Sequence, residues 1–508
     1  MNLRDQQARD KIADALDRNM MVLAGAGAGK TYALVQRMVN AVEKGVVPVD
    51  QLSAITFTRK AAGEMRGRFF SELKSRAKNA DGEDLNRIQN ALEKVDQCFI
   101  GTIHSFCGQL LRERPVEAGL PPDFSEVEER EEAVMRREAW DQFVQQRFLS
   151  EDPRLAKFEE LGLRPEDLYG FFQRRYQFSD VPLVSEPVQK PDLSTAVSEL
   201  EAFLQHTGTF IPDPLPGRRD ALQTALMRVR LFLSNRGIHS DADRIELLQI
   251  LSGNLGVTLK SWTPNQDFAK HLRDTLLPEF QTEILNPTLT RWRQYIYRFA
   301  APFVDDAVEE YARTRRETGR LTFQDLLELA ARLLRDHPEV RRHFRDRYRC
   351  LFVDEFQDTD PIQAEILLYL TGENLQETDW RKLTPRPGSL FLVGDGKQSI
   401  YRFRRADVET FDLVRNRIGN TNGDIVGLNT NFRSLGHLCD WINAAYEPLF
   451  AAHEKPYQAE FAPLFKYRSD GENMAVRRIS IDKVYRNSRS QIAEEDAVRI
   501  ANFIAATI

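Results

Sequence analysis

The chain has no run of about eighteen apolar residues, so no segment is expected to cross a membrane as a helix. Its first residues, MNLRDQQARDKI, are polar and charged, which excludes a signal peptide there. Cysteine is scarce. Cys98, Cys107, Cys350 and Cys439 form no CxxC pair, and their spacings suit neither zinc nor an iron–sulfur cluster. Free thiols in a reducing cytoplasm are the expectation. Basic charge is not in excess: 70 Lys+Arg stand against 76 Asp+Glu, a formal net charge of −6. Any nucleic-acid binding must therefore come from a local basic surface. Internal repeats and low-complexity tracts are missing too.

What is present is an ordinary globular composition, 42% hydrophobic and 29% charged, in 508 residues. That length calls for about two to four domains. MVLAGAG is a short apolar run ending in glycines, followed by helix-forming KTYALVQRMVNAVEKG, with Gly45 as a stop. AITFT followed by a helix from Lys60 repeats the pattern, and CFIGTIHSFCGQLL repeats it again. Strand–helix alternation of this kind predicts an α/β fold with a parallel, doubly wound sheet. Residues 111–310 read as a mostly helical insertion, with tryptophan, arginine and leucine at helical spacing and prolines in KPDL and FIPDPLPG. The α/β pattern returns with YRCLFVDEF and GSLFLVGDG, and Asp360 and Pro361 begin a helix. From about 416 a further α/β segment opens with DIVGLNTNFRS.

Two motifs carry chemistry. Ala24-Gly25-Ala26-Gly27-Ala28-Gly29-Lys30-Thr31 follows the phosphate-loop pattern G-x-x-x-x-G-K-[ST], with alanine for the first glycine. Glycines let backbone N–H groups approach phosphate oxygens, the lysine reaches the β- and γ-phosphates, and the threonine hydroxyl binds Mg²⁺. A glycine-rich strand–helix turn with no ligand is the plain alternative. LFVDEFQD ends an apolar strand in carboxylates: Asp354 to hold the metal and Glu355 as general base on water. A solvent-facing acidic turn is the alternative there.

Together with VGDGKQSIYRFRRAD and LNTNFRS, these motifs resemble superfamily 1 DNA helicases of the UvrD/Rep type, nearest the RecB/AddA motor subunits of helicase–nuclease complexes. The resemblance covers residues 1 to about 110 and 310 to about 440. In that family an alanine commonly opens the phosphate loop. The resemblance implies a RecA-like first domain in two parts, 1–110 and 311–415, and the start of a second, incomplete RecA-like lobe at 416–508. It implies that Gln6 reads the adenine edge and Phe432 stacks on the base. Gln398 senses the γ-phosphate, Arg433 reaches it from the second lobe, and Arg404 bridges towards the nucleotide. It places Phe57, Thr58 and Arg59 of ITFTRKAA, Thr102 and His104 of GTIHSF, and Tyr401 and Phe403 on the DNA. For Gln6, His104 and Phe403 the residues alone also fit an exposed polar group, a structural histidine and a core aromatic. LTFQDLL matches a further family motif that reads as structural.

The function implied is an ATP- and Mg²⁺-dependent 3′–5′ motor on single-stranded or junction DNA, serving cytoplasmic repair or recombination without a membrane, its possible partner a nuclease subunit. Two late family motifs, one with a Thr-His-Lys-Gly pattern and one supplying a second arginine, do not occur in residues 435–508, nor does a nuclease cluster. The expectation is therefore the front part of a longer protein. The alternative is a chain that binds ATP and DNA with little coupled turnover. A nucleotide kinase fits the first two motifs but not the ordered set.

Overall fold

The computed structural model describes residues 3–184, 186, 188–208, 220–451, 461–470 and 489–507. The FIPDPLPG stretch lies outside them. The chain forms two compact units, one of residues 1–122 with 325–508 and one of residues 123–324. The second unit spans residues 123–324, against 111–310 for the helical insertion read from the sequence.

Ten strands occur among the described residues: β1 Met20–Ala24, β2 Leu52–Thr56, β3 Phe99–Thr102, β4 Ser125–Glu126, β5 Arg320–Leu321, β6 Cys350–Val353, β7 Leu390–Gly394, β8 Asp424–Leu428, β9 Thr430–Asn431 and β10 Phe465–Lys466. In the first unit six of them form one sheet in the order β3-β2-β6-β7-β1-β8, every pairing parallel. β2, β6 and β7 are buried along their whole length, as strands covered on both faces must be. That is why β6 and β7 read as unbroken apolar runs, while β2 admits only the small hydroxyls Ser53 and Thr56. Leu34, Met38 and Val39 of the helix Lys30–Glu43 pack with Val22, Phe352 and Phe391 in the core.

One boundary differs from expectation. The sequence pattern has β8 opening a second lobe, yet it pairs with β1 from Met20↔Asp424 to Ala24↔Leu428 as the edge strand of the first sheet. Its first four residues alternate between half-buried and exposed, as one covered face requires, and Leu428 at its end is buried. Lys11 and Arg18 pair with Asp424 at 2.7 and 3.0 Å and hold the N-terminal segment to this edge. Any second lobe begins after Leu428. The strands that follow, β9 and β10, pair over only two residues.

The N-terminal helix Gln6–Asp14 is fixed from behind by Arg37, which is 2% exposed. Its guanidinium donates to the carbonyls of Ile12, Ala15 and Arg18 at 2.7–2.8 Å, closing the C-terminal end of that helix.

The second unit is helical. Its ends meet in the parallel pair β4–β5, where Ser125 N–H donates to Gly319 O at 2.8 Å and Val127 N–H to Leu321 O at 2.9 Å. The helix Asn286–Thr318 lays Phe303, Val304 and Tyr311 against Trp140, Phe143, Phe158 and Phe172. A second cluster gathers Leu200, Leu226, Leu248, Trp262 and Leu272.

Candidate nucleotide site and aromatic strip

β1 ends at Ala24, which is fully buried. The turn comes later, with left-handed φ at Gly27 (+74°) and Gly29 (+86°). Glycine is thus needed at those two positions, while the first position of the motif is a strand residue that alanine fills without strain. Gly29 leads directly into the helix Lys30–Glu43, whose N-terminal amides face the loop.

Two side chains of this helix meet the end of β6. Lys30 Nζ lies 2.6 Å from Glu355 Oε2, and the Thr31 hydroxyl donates to Asp354 Oδ2 at 3.4 Å. Asp354 is 7% exposed. Burial first, then the charge of Glu355, pushes its carboxyl up to about 6. A buried carboxylate beside a hydroxyl is an oxygen donor set that suits a hard divalent cation. Asp358 is likewise pushed up to about 6 by partial burial and the charge of Glu355. Glu355 itself is left-handed, φ 55°, a conformation that costs a non-glycine residue about 1–3 kcal/mol and concentrates at functional sites.

Segment 428–434 is hydrogen-bonded onto the phosphate loop. Gly25 N–H donates to Leu428 O, Phe432 N–H to Gly27 O, and Asn431 Nδ2 to Ala26 O at 2.7 Å. Asn431 Oδ1 accepts from the N–H groups of Arg433 and Ser434. A Cβ on Gly27 would come within 2.8 Å of Arg433 Cβ. The arginine loop and the phosphate loop are therefore in direct contact.

Beside them lies a cavity of about 610 Å³ lined in part by Gln6, Arg9, Tyr32, Gln36, Arg76 and Phe432. Gln6 Nε2 donates to Asp10 on its rim. Arg9 lies over the Phe432 ring at 5.0 Å and donates to Ala28 O. Asp5, 8% exposed, holds Arg9 through both carboxylate oxygens and also accepts from Asn429 N–H, Thr430 N–H and the Thr430 hydroxyl. Its carboxyl lies below the usual range: burial opposes this, and the Arg9 and Thr430 hydrogen bonds outweigh it. Asp5, Arg9, Tyr32 and Asn431 carry no signal in the sequence that marks them for this site.

The expected DNA residues divide into two groups. Phe57 and Tyr401 stack at 5.0 Å between centroids, and Tyr401 meets Phe403 at 5.8 Å. Phe403 is 77% exposed, so it is a surface aromatic rather than a core one. Arg404 lies over the rings of Tyr401 and Phe403, with this strip. Thr58 and Thr102 cap helices: the Thr58 hydroxyl accepts from Ala61 N–H, and the Thr102 hydroxyl from Ser105 N–H. Arg59 and His104 sit in the first turns of those helices. Gln398 donates to Asp395 Oδ2 at 2.8 Å.

Residues 4–418 match the model of the UvrD/REP helicase N-terminal domain. The chain belongs to the UvrD/REP helicase family. Curated relatives named as ATP-dependent helicase/nuclease subunits of the A type include those of Syntrophomonas wolfei (27% identical over 491 residues, 87% of this chain and 38% of the relative), Listeria monocytogenes serotype 4b (27% over 507 residues, 87% and 39%) and Alkaliphilus metalliredigens (27% over 490 residues, 87% and 39%). The chain spans about two fifths of these relatives' length. In this UvrD/REP-family chain the parallel sheet is the RecA-type scaffold, and the glycine-rich loop and the acidic turn stand at the C-terminal ends of β1 and β6, the two strands that flank β7. Among the described residues no helix is long and apolar enough to cross a membrane.

Proposed function

We propose that this chain is the ATP-hydrolysing part of a DNA motor that moves 3′ to 5′ along one strand, acting with a nuclease subunit in repair or recombination in the cytoplasm. The observation that carries the reading is the meeting of Lys30 with Glu355 and of Thr31 with Asp354, two hydrogen-bonded pairs joining segments more than three hundred residues apart. In this reading the glycine amides and Lys30 bind the β- and γ-phosphates of ATP. Thr31 and Asp354 would hold Mg²⁺, which supplies charge neutralisation at the phosphates when bound. Glu355 takes the proton of the attacking water once Lys30 has turned to phosphate. Gln6, Arg9, Tyr32 and Phe432 surround the base, and Arg433 is delivered to the phosphates by its loop. Phe57, Tyr401 and Phe403 stack bases without regard to sequence. Residues after Leu428 start the second lobe.

The test is steady-state ATP hydrolysis by the 508-residue chain, with and without a single-stranded oligonucleotide, beside Lys30→Ala. The expected result is DNA-stimulated turnover that falls at least about 100-fold in the variant. Undiminished turnover by Lys30→Ala refutes the reading. A second reading, binding of both ligands with little hydrolysis, is favoured by the engagement of the Gln398 amide with Asp395; it is supported if ATP and DNA bind and turnover stays negligible.

A further inference from the structure

We infer that Gln357 is a positioning residue that links the placement of Glu355 to the conformation of residues 395–401, and so to occupancy of the aromatic strip by single-stranded DNA. This rests on the ATPase reading above.

The Gln357 side chain is 3% exposed and uses both ends of its amide. Nε2 donates to Glu355 Oε2 at 2.8 Å, and Oε1 accepts from Asp395 N–H at 2.9 Å. Its backbone carbonyl accepts from the Ser399 hydroxyl at 3.0 Å. One residue therefore grips the carboxylate at the end of β6 and the loop that follows β7. An amide carries a donor and an acceptor side by side, so it can donate to the carboxylate and accept from the peptide N–H at once; a carboxylate would repel Glu355, and a thioether would hold neither. The fit has no slack, because a Cβ on Gly394 would stand 2.9 Å from Gln357 Oε1 and 3.1 Å from its backbone nitrogen.

Both ends of this link lead to a ligand site. Glu355 Oε2 is shared between Gln357 and Lys30. A phosphate that draws Lys30 away leaves the carboxylate aimed by the Gln357 amide. At the other end, the Asp395 carboxylate accepts from Lys397 N–H, Lys397 Nζ and Gln398 Nε2. Two residues past Ser399 stands Tyr401, stacked on Phe57. A base entering this stack displaces Tyr401, shifts the Asp395 N–H and the Ser399 hydroxyl, and re-aims the amide that holds Glu355.

The experiment compares Gln357→Met and Gln357→Glu with the unmodified 508-residue chain. kcat and KM for ATP are measured with and without an oligothymidylate, and melting temperature and fluorescent-nucleotide binding report folding. The expected result is a kcat in the presence of DNA lowered about 10–100-fold, a KM for ATP within about twofold of the parent, and a DNA-stimulated to basal ratio falling towards one. The effect is larger for Gln357→Glu, which adds repulsion. A stimulation ratio unchanged in both variants, whatever their absolute rates, overturns the inference alone; an unmodified chain that hydrolyses no ATP overturns it together with the ATPase reading. Should the Gln357 variants fail to fold, Ser399→Ala removes only the hydroxyl held by the Gln357 carbonyl. It lowers the ratio by a smaller factor, and an unchanged ratio there overturns the link.

Discussion

Asp354 has its carboxyl pushed from the usual 3.8 up to about 6 by burial and by Glu355. A raised carboxylate pKa means that the folded chain holds this proton more tightly than the unfolded one. The contribution to stability is full below about pH 3.8 and is lost as the pH rises through about 6. In metal-free buffer at neutral pH the ionised side chain thus lowers stability, by an amount on the order of 1–3 kcal/mol. Asp354→Asn keeps an acceptor for the Glu355 N–H that now bonds to Oδ1. It is expected to raise the melting temperature by a few degrees in chelator-containing buffer, with the gain vanishing near pH 4, and to remove ATP hydrolysis. Scanning fluorimetry across pH checks this; a lower melting temperature at pH 7 contradicts it. The same scale applies to the aromatic strip. Phe57→Ala and Phe403→Ala should each weaken binding of a single-stranded oligonucleotide about 5–100-fold, in line with about 1–3 kcal/mol per stacked base. Fluorescence anisotropy measures it, and full affinity in both variants removes the strip from the DNA path.

The loop 428–434 is the element that no local pattern could place. Its phosphate-loop partners lie about four hundred residues earlier, joined through an Asn431 amide and backbone groups that carry no signature of their own. Asn431→Ala cuts the side-chain bond to Ala26 and the two that Oδ1 accepts from Arg433 and Ser434, and is expected to raise KM for ATP at least about tenfold. Steady-state kinetics decide it: an unchanged KM with a lower kcat would make Asn431 a contributor to turnover rather than to binding. The phosphate loop and the acidic strand end were legible because their chemistry is set by short spacings within one strand–turn–helix unit. Asp5 and Gln357 were not, although Gln357 stands inside LFVDEFQD and Asp5 immediately precedes Gln6. Their partners depend on which strands are neighbours, and β6 beside β7 or β1 beside β8 is a property of topology. Thr58 and Thr102 show the converse. Their motif suggests DNA, but each hydroxyl already caps its own helix, so replacement by alanine also costs about 1 kcal/mol of stability.

Over the whole molecule, the long helical insertion is compatible with an intact sheet because its two ends return to one place. β4 and β5 lie side by side, and closing a longer loop adds little entropic cost. With two apolar clusters of its own, the segment 123–324 is expected to fold alone. Circular dichroism of that fragment should show a helical spectrum and a cooperative thermal transition; a gradual, non-cooperative melt would show that it depends on the rest of the chain. The strand order has a further consequence, in time rather than in space. β1 leaves the ribosome first of the six, but its neighbours β7 and β8 are translated some four hundred residues later, a wait of roughly 20–80 s at about 5–20 residues per second. Throughout that interval the strand MMVLA has neither ladder partner, and the nucleotide loop behind it lacks the carbonyl of Leu428 that receives Gly25. The nascent chain therefore carries this strand and its loop without their partners until β7 and β8 have been made, an apolar segment open to misassociation in the meantime.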